Sequence, residues 1–167
     1  MKKFVVFLIV GLLASSAAWG NDNTQINITA NIAQKLDVSV SGDWSIDLDN
    51  KGTAYQNDSQ GTLTVISNKN SYTVTFSSEN GGTLKYGSET IIYKVKVDTD
   101  EWTGVVSNAL ESYKQLTTAQ GPYTIVFNQK TPKDGIEFDI GLQIPEYTNL
   151  YSEGAYTDTI YISITHS

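Results

Sequence analysis

Apolar and polar residues alternate with a period of two along most of this 167-residue chain. An extended backbone throws successive side chains to opposite faces, so each alternating run predicts a strand with one face for a core. Ile26, Ile28, Ala30 and Ile32 alternate with Asn27, Thr29 and Asn31. Leu36, Val38 and Val40 alternate with Asp37 and Ser39, and Trp44, Ile46 and Leu48 with Ser45 and Asp47. Further strands are predicted at 61–67, 71–78, 90–97, 122–127, 136–144 and 155–165, all rich in Thr, Val, Ile and Tyr.

Turn chemistry separates these runs. SNKN at 67–70 predicts a hairpin, ENGG at 79–82 supplies residues that tolerate positive φ, and TPKDG at 131–135 has the form of a tight turn. Short strands with such punctuation and no helical crossovers predict an antiparallel, Ig-like all-β sandwich. One stretch departs from the pattern. Between residues 102 and 121, Val106, Ala109, Leu110, Tyr113 and Leu116 fall near helical spacing among Ser, Thr and Asn, so a short helix or an irregular loop is expected there.

The first twenty residues read as a secretory signal. Lys2 and Lys3 precede an apolar run from Phe4 to Leu13, and Ala18-Trp19-Gly20 places small residues at −3 and −1 of a cleavage site. The run is about half the roughly twenty residues a bilayer needs. Cleavage after Gly20 takes twenty of the 167 residues and two of the eleven lysines, leaving 147 residues, one domain's worth, with nine lysines against eighteen acids. Arginine and cysteine are both absent. An acidic surface without Arg argues against nucleic acid and anionic membrane as partners. The missing thiol excludes disulfides, a lipoprotein anchor, a thiol nucleophile and thiolate metal sites.

Catalytic chemistry finds little to work with. His166 is the sole histidine and stands next to the last residue, where a triad base is not expected. Glu137 and Asp139 share one face of a strand about 7 Å apart, a spacing that could suit glycoside hydrolysis. Ile136, Phe138, Ile140, Leu142 and Ile144 take the opposite phase, however, so the two acids mark a solvent face. Asp and Asn runs at 47–58 and 98–101 could offer oxygen to calcium but lack EF-hand spacing, and turn formation accounts for them. No enzyme activity, cofactor or metal is expected. Tyr147 and Tyr151, flanking the loop after Pro145, and Tyr161 on the last strand could form a binding surface, although packing is the commoner fate of such residues.

The two ends of the chain carry the remaining signal. EGAYTDTIYISITHS at 153–167 resembles the closing motif of chaperone-usher pilus subunits, and INITANIAQKLDVSV at 26–40 resembles the N-terminal segment of CS1-type and spore-coat-U-like pilins. SNKNSYTVTFSSENGGTL at 67–84 is similar to their central hairpin, and GLQIPEYTNLYSEGAYTDTI at 141–160 matches their order of strand, Pro, loop and terminal strand. Many spore-coat-U-like subunits carry a disulfide that this chain lacks, whereas CS1-type subunits commonly lack cysteine.

The resemblance implies an incomplete Ig-like sandwich completed by donor-strand exchange. It divides the chain into a signal peptide (1–20), a donor-strand extension (21–34) and a sandwich domain (35–167). Ile26, Ile28, Ala30 and Ile32 become donor-strand knobs, and Ile160, Ile162 and Ile164 line the acceptor groove. Three buried isoleucines contribute on the order of 6 kcal/mol before ordering costs. The implied partners are a periplasmic chaperone, an outer-membrane usher and neighbouring subunits, with a host or surface receptor for the finished fibre. The implied location is the periplasm in transit, then a surface fimbrium that supports adhesion or biofilm. The competing expectation is a self-contained secreted sandwich that pairs residues 26–32 within its own chain and binds a glycan or a protein through tyrosine-rich loops.

Overall fold

A computed structural model describes residues 28–41 and 44–166. The expected signal segment and cleavage site, and Ile26, lie outside the described residues. The chain divides into Met1–Ile32 and a compact unit, Ala33–Ser167.

The compact unit is an antiparallel β-sandwich. One sheet has the order β1 (Leu36–Val40), β2 (Tyr55–Ser67), β9 (Ile136–Ile144), β6 (Lys94–Val97). The other has the order β10 (Ile160–His166), β3 (Tyr72–Ser78), β8 (Tyr123–Phe127), β7 (Val105–Asn108). A separate hairpin joins β4 (Thr83–Tyr86) to β5 (Glu89–Ile92).

The period-two pattern builds the core directly. Leu63 and Val65 of β2, Val74 and Phe76 of β3, Ile125 and Phe127 of β8, and Phe138 and Ile140 of β9 are buried between the sheets. Tyr72 stacks on Phe127 with ring centroids 4.7 Å apart, and Phe127 meets Phe138 at 5.9 Å. Such aromatic pairs fill the gap between sheets with few voids.

Four local expectations are corrected by long-range pairing. SNKN does not close a hairpin: β2 and β3 lie in different sheets, so the segment is an arch across the core. The predicted strand at 90–97 is cut at Tyr93, whose N–H donates to the carbonyl of Gly82 at 3.1 Å, so its halves serve the hairpin and the first sheet. Strand β2 starts at Tyr55 and so takes in Asn57 and Asp58, where turn formation is expected, with a bulge between Asn57 and Gly61. Trp44 to Leu48 alternates as expected, half-buried against exposed, yet forms no ladder. The Trp44 ring lies over Gly61, where a Cβ would come within 2.5 Å of it, and the bulge in β2 removes the straight edge that this run would pair with.

The stretch from 102 to 121 is irregular rather than α-helical. It holds β7, an isolated bridge between Lys114 and Val95, and a 3-10 turn at Thr118–Gln120. TPKDG behaves as read, with the Gly135 N–H donating to the carbonyl of Pro132 at 3.1 Å and φ of 89° at Gly135.

Candidate functional site

The sheets meet solvent differently on their two sides. On one side β6 and β7 are the edges, and the segment leading from β7 to β8 crosses them. The Val95 N–H donates to the Lys114 carbonyl and the Lys114 N–H to that of Val95, both at 2.9 Å. The Val97 N–H donates to the Leu110 carbonyl at 2.8 Å, and the Asn108 amide donates to the Val97 carbonyl at 2.8 Å. Leu110 and Leu116 drop into the gap and are buried.

On the other side the edges are β1 and β10. Strand β1 pairs with β2, Leu36 opposite Ser67 and Val40 opposite Leu63; β10 pairs with β3, Ile160 opposite Ser78 and His166 opposite Tyr72. Among the described residues no strand pairs with the outer edge of either. Leu36, Val38 and Val40 on one wall and Ile160, Ile162 and Ile164 on the other pack against the core yet stay half-buried. A groove of about 470 Å³ runs between Val38 and Val40 on one side and Ile160 and Ile162 on the other, with Trp44, Leu84, Tyr93 and Leu142 also in its lining; Leu36 and Ile164 lie beyond it. An apolar trough between two unpaired edges offers both main-chain hydrogen bonds and pockets for alternate side chains.

A carboxylate two residues before β10 fixes one wall. Asp158 accepts hydrogen bonds from the hydroxyls of Ser78 and Tyr93, both at 2.6 Å, and from the N–H groups of Asn80 (2.9 Å) and Thr159 (2.8 Å). Burial, and then this bond to Asp158, pushes the Tyr93 hydroxyl far above the ordinary tyrosine range, so it stays a donor. One carboxylate thereby ties β3, the start of the β4–β5 hairpin and β10 together.

No family model matches this chain, and neither does any curated protein. The site therefore has to be judged on its own geometry.

The structure brings Ile160, Ile162 and Ile164 together on one face, as their phase predicts. The opposite wall, Leu36, Val38 and Val40, was read as strand but not as groove. Of the donor-strand knobs, Ile26 lies outside the described residues. Ile28 and Ile32 are 87% and 88% exposed, and residues 28–35 belong to no strand. Glu137 and Asp139 stand on the exposed face of β9, and His166 is exposed at the end of β10. Among the described residues no three His, Cys, Asp or Glu gather as metal ligands, and no helix is long and apolar enough to cross a membrane.

A second concavity adjoins the groove and shares Trp44, Ile46 and Leu84 with it. About 640 Å³ in volume, it is lined by Asn50, Tyr147, Tyr151 and Tyr156 among others. Tyr147 and Tyr151 pack at 5.1 Å and Tyr151 and Tyr156 at 5.8 Å. Asn50 holds their loop by exchanging hydrogen bonds with the Tyr151 backbone at 2.9 and 3.0 Å. Glu89 accepts from the Tyr156 hydroxyl and from the N–H and hydroxyl of Ser152.

Proposed function

We propose that this protein is the structural subunit of a surface pilus or fimbria, assembled when the N-terminal strand of one copy completes the open, Ig-like sandwich of the next. The observation that supports this reading is the one-sided groove between β1 and β10, lined by half-buried Val38, Val40, Ile160 and Ile162 in a sandwich whose other side is closed. Ile26, Ile28, Ala30 and Ile32 repeat every second residue, which is the spacing of the pockets between two strand edges. A contact between one end of a molecule and the side of another does not close on itself, and so it propagates as a fibre.

In this scheme a periplasmic chaperone fills the groove until an outer-membrane usher exchanges it for the next subunit. No catalytic group is required. The finished fibre serves adhesion or biofilm at the cell surface. Deleting Asn21 to Ile32 should abolish polymerisation while leaving a folded domain that the chaperone still captures. A peptide spanning Thr24 to Ile32 should bind that truncated domain, and a truncated chain that still forms fibres refutes the reading.

The tyrosine-lined concavity supports a second reading, a self-contained domain that binds a glycan. Under it the full chain is a stable monomer without a chaperone and loses saccharide binding on Tyr151→Ala. Polymers formed only by chains that carry residues 21–32 would rule it out.

A further inference from the structure

Asn68 follows the last residue of β2. The regular β1–β2 ladder ends with Leu36 opposite Ser67. One step further, the Asn68 N–H donates to the Lys35 carbonyl at 3.1 Å. Its side chain then stands in for a strand backbone: Oδ1 accepts the Lys35 N–H at 2.9 Å, and Nδ2 donates to the Ala33 carbonyl at 2.8 Å. Three hydrogen bonds thus hold the chain in the line of β1 back to Ala33.

From this clamp and from register, we infer that Asn68 commits the N-terminal strand to the groove of a second copy of this chain by denying it the turn needed to enter its own. The inference rests on the fibre reading above. To lie beside β1 in its own groove, the strand must reverse as a hairpin. Directly opposed residues share a face, so the even-numbered knobs must oppose the even-numbered, inward Leu36, Val38 and Val40. The register that seats them sets Ile32 opposite Leu36, Ala30 opposite Val38 and Ile28 opposite Val40. Its loop is residues 33–35, the very residues that Asn68 holds extended.

Other registers fail for stated reasons. A two-residue loop flips every knob to the solvent face. A loop at 32–34 or at 31–33 still needs the Ala33 carbonyl freed and takes Ile32 into the turn. A loop at 30–32 spares the clamp but spends Ala30 and Ile32, leaving Ile26 opposite Leu36 as the single knob in the groove. Reaching β10 instead also requires leaving the line of β1 within residues 33–35. A second copy imposes no such reversal.

The test uses the full secreted chain, read by size-exclusion chromatography for polymer and by amide hydrogen exchange over residues 26–32. Wild type should polymerise, and its residual monomer should exchange those amides freely. Asn68→Ala should shift material from polymer to a closed monomer by about ten-fold, with residues 26–32 now protected. Should that variant fold poorly, a five-residue Gly/Ser insertion between Ile32 and Ala33 provides the slack to reverse while leaving the clamp intact, and should produce the same closed monomer. Two variants that both polymerise like wild type with unprotected N-termini would overturn the inference. So would a wild-type monomer already protected at 26–32. A wild-type chain that forms no polymer, with those amides unprotected, would instead bring down the fibre reading and the inference with it.

Discussion

The two sides of this sandwich face the same physical problem and solve it differently. Where β6 and β7 end their sheets, the intervening chain lays Leu110 and Leu116 into the gap and bonds its backbone to β6 at Val95 and Val97. Where β1 and β10 end theirs, Val38, Val40, Ile160 and Ile162 line an unfilled groove. Sheet edges and apolar faces are costly to leave open, and the closed side demonstrates that this chain can cover one. Under the proposed fibre reading, the difference locates the surface available for association: the chain fills one gap with its own segment and leaves the other for a segment of matching period.

The largest effect should come from unplugging the closed side. Leu110→Ala leaves a cavity at a fully buried position and should destabilise the isolated domain by about 3 kcal/mol, measured as a drop in urea midpoint at constant slope. A loss under about 1 kcal/mol would mean that the plug is not part of the cooperative core, and the contrast between the sides would collapse.

Next in size is the network that sets the wall of the open side. Asp158→Asn keeps the shape of the side chain but removes the charge and turns an amide against donors from Ser78, Asn80 and Tyr93. The expected cost is about 2 kcal/mol, since hydrogen bonds to a charged group are the stronger kind. Amide exchange of residues 160–162 should rise more than that of β8. Uniform exchange across both sheets would show that Asp158 supports the fold generally and not this wall.

Ile162→Ala is the open-side counterpart of the leucine plug. Because Ile162 is only half-buried in the single chain, its truncation should cost the isolated domain about 1 kcal/mol or less. Binding of the Thr24–Ile32 peptide should fall about ten-fold, because the pocket that a knob would fill is altered. Equal losses of stability from Ile162→Ala and Leu110→Ala would break the comparison outright.

The phases of the strands were legible because period two is a local property, and the core follows from them. Ile160, Ile162 and Ile164 were found in that way. What the sequence hides is which edges meet, because partner choice depends on residues far apart in the chain. SNKN reads as a hairpin from its own four residues, and only the separate sheets of β2 and β3 make it an arch. The steps of four, three and three residues from Val106 through Leu110 and Tyr113 to Leu116 read as helical, yet Leu110 and Leu116 plug the gap from irregular backbone. Trp44 to Leu48 alternates like a strand, and nothing local reveals that Gly61 and the bulge deny it a partner. Asn68 left no signal at all, since an Asn in a turn is ordinary and its grip on Ala33 spans 35 residues.

The smallest effect separates the sides by pH. At the tyrosine-lined concavity that adjoins the open groove, the hydrogen bond from Tyr156, and then those from Ser152, hold the Glu89 carboxyl below its ordinary value of 4.5. A carboxyl whose folded value lies below its unfolded one stabilises the protein fully above the unfolded value and loses that contribution as pH falls through the folded value. Wild type should therefore exceed Glu89→Gln slightly in urea midpoint at pH 7, and the gap should shrink when both are measured near pH 3. Because Glu89 is only half-buried, screening keeps the effect small. The leucine plug provides the contrast, since Leu110→Ala removes no titrating group and its deficit should persist at both pH values. A Glu89→Gln gap that is equally constant would mean that the carboxylate contributes only shape to the 151–156 loop, and this residue would then not separate the two sides by pH.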